Sequence, residues 1–136
     1  MNTDKIFDLY GPYLDVLGRL LIAAIFLLSV LPQIQDFAGT QGFMESKGLP
    51  GILLPVVIAL EFAGSLAVIA GWKVRIFSFL LAGYTLLAAL FFHNNWSDPM
   101  HYYSFMKNLG MAGGLLFLTV NGVGKFSLDA RKRPAS

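Results

Sequence analysis

The chain has 136 residues, of which 56% are hydrophobic and only 13% are charged, whereas an ordinary soluble domain carries about 25% charged residues. This composition is typical of a membrane protein, and it excludes a disordered chain, a collagen-like chain and a disulfide-stapled secreted scaffold. Because the sequence holds no cysteine, thiol redox chemistry, iron–sulfur clusters and cysteine-ligated zinc are excluded as well. Any redox role must therefore use a bound molecule.

Four apolar segments are long enough to cross a membrane, since a hydrocarbon core of about 30 Å needs roughly 20 helical residues. They are predicted at residues 14–34, 51–71, 75–93 and 103–120. A soluble four-helix bundle would show a polar stripe on every helix, and the third segment has almost none. The sequence therefore predicts an all-α membrane protein, a bundle of four transmembrane helices that forms a single domain over residues 1–136.

The segments outside these spans are short. In residues 1–13, apolar side chains alternate with polar ones up to Gly11-Pro12, which predicts a short interfacial helix that ends at this pair. Residues 36–50 are rich in glycine and predict an outer loop with one helical turn over residues 43–45.

Basic residues are distributed unevenly between the two ends of the predicted bundle. The end that carries both termini holds eight of them: Lys5, Arg19, Lys73, Arg75, Lys125, Arg131, Lys132 and Arg133. The opposite end holds Lys47 and Lys107. The positive-inside rule then places both termini, and a basic tail over residues 125–136, in the cytoplasm. Attraction to anionic lipid explains this basic rim, and no nucleic-acid partner is expected.

Small residues indicate where helices approach each other closely. Ala59, Ala63 and Ala67 recur every fourth residue in the second span, and Gly110 and Gly114 form a GxxxG pair in the fourth. Such faces serve either packing within the bundle or association of two copies in a homo-oligomer.

Ionisable residues at membrane depth are the strongest indication of function. Glu61 lies ten residues from either end of its predicted span, hence about 15 Å from each surface. An unpaired carboxylate there is costly, so a cationic partner is expected. Arg19 is preferred because a guanidinium binds a carboxylate with two hydrogen bonds, and Lys107 is a second partner. The sequence therefore predicts a buried charge network of Arg19, Glu61 and Lys107.

A second polar cluster follows the third span. His93, Trp96, Asp98 and Asn108 are candidates for a ligand or proton site at the outer end of the bundle. His93 is suited to relay protons or to donate to a ligand carbonyl, and equally to cap a helix end. The spacing of His93, His101 and Asp98 does not match a known ligand pattern, so no metal site is predicted.

Together these segments resemble the DoxX family of small four-helix membrane proteins, over about residues 17–129. The resemblance is carried by the runs Arg19-Leu-Leu-Ile-Ala-Ala-Ile-Phe, Gly48-Leu-Pro, Glu61-Phe-Ala-Gly-Ser-Leu, Gly71-Trp-Lys-Val-Arg75, Phe92-His93, Asp98-Pro-Met, Phe105-Met-Lys107-Asn108-Leu and Gly122-Val-Gly-Lys-Phe-Ser-Leu-Asp129. Ser65 departs from the pattern, because many members continue a glycine run there.

The resemblance implies a multi-pass protein of the cell inner membrane that is associated with quinone-dependent oxidation. The family is named for a subunit related to thiosulfate:quinone oxidoreductase, and some members are tied to oxidative-stress complexes, whose redox metals reside on other subunits. The expected partners are therefore the lipid bilayer and redox-complex subunits. Because the sequence contains no cofactor motif and no nucleophile–base pair, catalysis by this chain alone is not expected.

Three functions follow as hypotheses. The first is a subunit that binds a quinone, with Glu61 handling a proton and His93, Lys107 or Asn108 bonding a carbonyl. Its apolar wall would come from six aromatic side chains: Phe91, Phe92, Trp96, Tyr102, Tyr103 and Phe105. The second is a non-catalytic structural or assembly partner. The third is a small transporter or proton pathway with Arg19, Glu61 and Lys107 as its relay.

Overall fold

The computed structural model describes residues 2–131, which form helices joined by short turns. In chain order these are α1 (Thr3–Gln35), α2 (Phe37–Ser46), a single 3₁₀ turn (Gly51–Leu53), α3 (Leu54–Ala70), α4 (Val74–Phe92), α5 (Pro99–Asn121) and α6 (Leu128–Arg131). No strand occurs among the described residues, which confirms the all-α prediction. The predicted basic tail falls partly outside this range, since Lys132 and Arg133 are not among the described residues.

Three helical segments are long and apolar enough to cross a membrane: α1, the segment Gly51–Ala70 that comprises the 3₁₀ turn and α3, and α4. The first three predicted spans lie within them, apart from one terminal residue each at Gly71 and His93. The fourth predicted span lies within α5, which is 23 residues long but carries Lys107 and Asn108 in its first half. Large apolar side chains such as Leu21 cover the outward faces of the helices, as a lipid-facing surface requires.

The helices pack in the order α1, α3, α4, α5. The contacts between α4 and α5 and between α1 and α3 are the most extensive, α3 joins the two pairs through α4, and α1 touches α5 only slightly. The core lies where these helices meet, and it consists of Ala23, Phe26, Val68, Leu81, Ala82, Ala112 and Leu115. Because α1 and α5 barely touch, the bundle leaves space between α1 and the α4–α5 pair.

The close approach between α3 and α4 depends on a small residue. Gly64 is buried, and a Cβ at this position would lie 3.1 Å from Cγ of Leu81. Ala67 is buried as well, whereas Ala59 and Ala63 are exposed. Part of the small-residue face therefore serves packing within the chain, and the homo-oligomer stays a prediction.

The predicted break at Gly11-Pro12 is wrong, because α1 runs through it without interruption. A proline in a helix removes one backbone hydrogen bond, and contacts beyond Pro12 compensate. The ring of Tyr13 packs edge-on against Phe126 with a centroid distance of 5.3 Å, and Asp15 binds the C-terminal segment. These contacts hold this part of α1 against the rest of the molecule.

The predicted outer loop over residues 36–50 is also wrong in part, since ten of its residues form α2. The side chain of Asp36 caps the helix by accepting from the N–H of Gly39 at 3.1 Å. Met44 on the inward face is buried, and the Gln41 amide donates to the carbonyl of Gly51 at 3.0 Å. Capping and burial thus outweigh the low helix propensity of the glycines.

The C-terminal segment is fastened to the turn between α3 and α4. The Asp129 carboxylate accepts from the N–H groups of Lys73 and Val74 at 2.8 and 3.0 Å, where the helix dipole of α4 favours negative charge. The N–H of Asp129 donates to the carbonyl of Gly71 at 2.8 Å. The start of α4 and the end of the described chain therefore lie at the same end of the bundle.

The end of α3 requires a glycine. Gly71 has a φ of 72°, in the left-handed region that glycine adopts without strain. The N–H groups of Gly71 and Trp72 donate to the carbonyls of Val68 and Ala67 at 3.2 and 2.9 Å, which closes a Schellman turn. A Cβ at position 71 would overlap the side chain of Ser127.

We expect Gly71→Ala to lower the free energy of unfolding by about 1–2 kcal/mol through backbone strain alone, with the overlap adding to it. Gly83→Ala is the matched control, because nothing lies within 4 Å of a Cβ there and alanine favours the helix by about 0.5–1 kcal/mol. Reversible unfolding in mixed detergent micelles measures both. Equal midpoints for the two variants would contradict this account of the turn.

Candidate functional site

A cavity of about 510 Å³ lies between α1, α3, α4 and α5. We call it the Glu61 cavity. At one end α2 contributes to its wall, where the rings of Phe43 and Phe92 stack with a centroid distance of 5.3 Å. Most of the lining is apolar, and it includes Phe26, Phe43, Met44, Phe91, Phe92 and Met111. This combination of size and apolar lining is typical of a site for a small lipophilic molecule.

Glu61 provides the carboxyl group of the cavity. It lies in the middle of α3 and is only 2% exposed. The Tyr84 hydroxyl of α4 and the Gln33 side-chain amide of α1 approach its carboxyl group. The Oε2 atom of Glu61 nevertheless has no hydrogen-bond partner. A buried polar atom without a partner is uncommon in folded proteins, so this oxygen calls for an explanation.

Other polar atoms without partners gather around the same cavity. Five buried side-chain polar atoms in the described part of the chain have no hydrogen-bond partner, and four belong to residues that line it: Gln33 Oε1, Glu61 Oε2, His93 Nδ1 and His101 Nδ1. The other is Ser78 Oγ. Each such atom costs about 1–3 kcal/mol, and their concentration in one place is what a binding site for a partly polar ligand requires.

Two further polar side chains of the cavity form hydrogen bonds with backbone carbonyls of α4. The Thr85 hydroxyl donates to the carbonyl of Leu81 at 2.7 Å. The Asn108 amide donates to the carbonyl of Thr85 at 3.3 Å, which ties α5 to α4. Asn108 thus lines the cavity as well.

The histidines lie at the rim of the cavity, after the end of α4 and near the start of α5. The rings of His93 and His101 have a centroid distance of 5.8 Å. Burial, and after it the neighbouring His101 and Lys47, lower the pKa of His93. Around neutral pH the His93 ring is therefore uncharged. No group of three or more metal-binding side chains occurs among residues 2–131.

The predicted ion pair between Arg19 and Glu61 is not formed. The Arg19 guanidinium, 1% exposed, pairs with Asp15 at 3.0 Å. It also donates to the carbonyls of Val68, Ile69 and Phe126 at 3.2, 2.7 and 2.6 Å. Because Asp15 and the carbonyls at the end of α3 lie within hydrogen-bond distance, Arg19 has its partners there and does not extend to Glu61 in the middle of α3.

Lys107 does not complete the predicted charge network either. Its side chain is exposed on the outer face of α5, whereas its neighbour Asn108 faces the cavity. Residues next to each other on a helix point in directions about 100° apart, so only one of the two can face inward. Within the described part of the chain, Glu61 has no cation within 4.0 Å.

The remaining predicted site residues separate into two groups. Phe91 and Phe92 line the cavity together with His93 and Asn108. Trp96 packs on Phe105 at a centroid distance of 5.1 Å, and Asp98 caps α5 by accepting from the N–H of Met100 at 3.0 Å. Four of the six aromatic residues predicted for the apolar wall do not line the cavity: Trp96, Tyr102, Tyr103 and Phe105.

Several polar residues of the cavity were missed by the sequence analysis. Among them are Gln33, Tyr84 and Thr85, which line the cavity and lie within predicted apolar spans. The signal was present, because a polar side chain inside an apolar span faces the interior of a bundle more often than the lipid. A search for uncharged polar residues in the spans, and not only for charged ones, would have found them.

Comparison with known proteins identifies relatives over most of the chain. The DoxX family model matches residues 14–94. The chain is 41% identical to the inner membrane protein YqjF of Escherichia coli (strain K12), over 84% of this chain and 88% of that protein. It is 32% identical to the inner membrane protein YphA of the same organism, over 96% of this chain and 100% of that protein.

A more distant likeness extends to eukaryotes. The chain is 28% identical to a Surfeit locus protein 4 homolog of Schizosaccharomyces pombe, over 89% of this chain but only 38% of that protein. No solved structure matches the chain.

Proposed function

The chain belongs to the DoxX family of membrane proteins, and we propose that it is a four-helix inner-membrane protein that binds a quinone in the Glu61 cavity. In this proposal it acts as an accessory subunit of a membrane redox system, and partner subunits bring the redox centres. The observation that carries the proposal is the buried Glu61 carboxyl, which has an oxygen without a partner inside a largely apolar cavity.

The topology rests on α5 as the fourth crossing. Its 23 residues extend for about 35 Å, it packs extensively against α4, and it buries Ala112 and Leu115 in the core. With four crossings both ends of the chain lie on one side. The hydrogen bond from Gly124 N–H to Asp15, at 3.1 Å, is consistent with this, and the basic residues favour the cytoplasm.

The residues of the cavity fit the chemistry of a quinone. Aromatic side chains such as Phe43 and Phe92 provide surfaces for a flat ring, and the gap between α1 and α5 suits entry of a lipid-soluble molecule from the bilayer. Glu61, Gln33 and Tyr84 would bond the ring oxygens. A bound quinone supplies two-electron, two-proton redox chemistry. This chain's part would be to orient the ring, exclude water and hold a proton on Glu61.

Quinone retained during purification tests the proposal. We expect the wild-type protein in nanodiscs of defined lipid to hold about one quinone per chain, measured by mass spectrometry of an organic extract. Glu61→Leu removes the polar contact and is expected to lower the retained quinone at least about tenfold, which corresponds to about 1.4 kcal/mol of binding.

Lys107→Ala is the matched control, because Lys107 lies on the outer face of α5 away from the cavity. It should retain quinone like the wild type. Thermal unfolding verifies that each variant is folded. If the wild type holds no more quinone than protein-free nanodiscs, or if Glu61→Leu retains the full amount, the quinone proposal is wrong.

A further inference from the structure

The Glu61 cavity has an unusual charge balance for a site inside a membrane. Its lining contains one carboxyl group, that of Glu61, and neither lysine nor arginine. The Arg19 guanidinium is held at the end of α3 by Asp15 and three carbonyls, and Lys107 faces outward. When Glu61 is ionised, no lysine or arginine of the lining neutralises it, and this favours a ligand that carries positive charge.

The walls of the cavity favour a particular kind of cation. Aromatic rings from three helices line it: Phe26, Phe43, Tyr84, Phe91 and Phe92. The face of an aromatic ring attracts a cation, by about 2 kcal/mol or more where water is excluded. A small hydrated ion would lose its water in such a cavity without recovering it, whereas a bulky organic cation carries little water and gains apolar contacts.

We propose that the Glu61 cavity binds lipophilic organic cations, such as hydrophobic amines and quaternary ions, in exchange for the proton of Glu61. This goes beyond the proposed quinone site, because it assigns a second class of ligand to the same cavity. The neutral carboxyl accommodates an uncharged ring compound, and the ionised carboxylate pairs with a cation. The protonation of Glu61 thus selects between the two classes.

The exchange is balanced in charge. One monovalent cation enters, the O–H bond of the Glu61 carboxyl breaks, and one proton leaves to solvent. The groups that face Glu61 are Tyr84 from α4 and Gln33 from α1; at the rim are His93 and His101, with Lys47 beside His93. None of them supplies a second carboxylate, so a single proton is released for each cation bound.

Two probe ions of the same shape and opposite charge test the inference. Tetraphenylphosphonium and tetraphenylborate both dissolve in lipid, and their binding is measured by equilibrium dialysis with the protein in nanodiscs of zwitterionic lipid. We expect tetraphenylphosphonium to bind at one site per chain above its partition into protein-free nanodiscs. Tetraphenylborate should show no saturable binding, because the cavity offers it a carboxylate and no cation.

The pH dependence identifies the group responsible. Loss of one proton on binding makes the affinity for tetraphenylphosphonium rise by up to about tenfold per pH unit while Glu61 is protonated in the free protein. Titration calorimetry in two buffers of different ionisation enthalpy measures the released proton directly. Glu61→Gln should weaken binding at least about tenfold and abolish the proton release, and Lys107→Ala should bind like the wild type.

A second variant tests the aromatic wall of the cavity while leaving the Glu61 carboxyl group in place. Phe43→Leu removes one ring from the wall and should weaken tetraphenylphosphonium binding while the release of one proton persists. If both ions show only partition into lipid, or if Glu61→Gln binds the cation as well as the wild type, the inference is wrong. Quinone retention is a separate measurement, so failure of the cation site leaves the quinone proposal standing, and the reverse also holds.

Discussion

Replacing Arg19 by leucine is expected to lower the free energy of unfolding by about 3–5 kcal/mol, because the groups that bind the buried guanidinium lose their partner. Asp15 would lose its ion pair at 3.0 Å, and the carbonyls of Val68, Ile69 and Phe126 would lose their donor. Unfolding by a denaturing detergent in mixed micelles, followed by far-ultraviolet circular dichroism, measures the loss.

Double-mutant cycles identify the partner of Arg19. The cycle with Arg19→Leu and Asp15→Asn should give a coupling energy of about 0.5–3 kcal/mol, as residues in one ion-pair network do. The cycle with Arg19→Leu and Glu61→Gln should be additive within about 0.5 kcal/mol, because Arg19 bonds other groups. Coupling to Glu61 and not to Asp15 would contradict the structure. Lys107→Leu is the control for removing a cation from an exposed position.

The error over this pair shows which part of the charge pattern the sequence could resolve. Both Arg19 and Glu61 were recognised as buried, since ionisable residues inside apolar spans face the interior. Both side chains are indeed buried, yet the pairing was wrong. The sequence reports how deep a residue lies in its own helix, but not which backbone carbonyls of other helices lie beside it. The spacing of Asp15 and Arg19, one helical turn apart, was the readable clue.

For the fold as well, some features follow from the sequence and others depend on tertiary contacts. The apolar spans follow from length and hydropathy alone, because a membrane imposes a minimum length on a helix that crosses it. The continuity of α1 through Pro12 and the existence of α2 do not follow, because both depend on tertiary contacts. The packing of Tyr13 on Phe126 outweighs the helix-breaking tendency of Gly11-Pro12, and the burial of Met44 outweighs that of the glycines in α2.

Some of the polar residues of the cavity were identified from the sequence, and others were missed. Glu61, His93 and Asn108 were identified from their chemistry, and all three line the cavity. Gln33 and Tyr84 were missed because only charged side chains were sought inside the first three spans, although an uncharged polar residue in a span also indicates the interior of a bundle. Their meaning lies in meeting at one carboxyl group from two different helices, which only the packing of α1 and α4 against α3 reveals.

We expect Glu61→Gln to stabilise the protein, whereas Arg19→Leu destabilises it. The glutamine keeps an oxygen that accepts from Tyr84. Its new N–H group can donate to a neighbouring acceptor, Gln33 Oε1, which lacks a partner. Removing a buried unsatisfied carboxyl oxygen should raise the free energy of unfolding by about 1–3 kcal/mol. The measurement is the same detergent-unfolding experiment, on protein freed of ligand.

Such a gain would mean that Glu61 is retained at a cost to the fold, which is what a residue kept for binding shows. Glu45→Gln is the matched control, because Glu45 is an exposed carboxylate on α2 and its replacement should change stability by less than about 0.5 kcal/mol. If Glu61→Gln destabilises the protein as strongly as Arg19→Leu, Glu61 is a structural element of the bundle. A stabilised variant that has lost its ligand instead separates binding from folding, and it assigns the carboxyl group to the cavity.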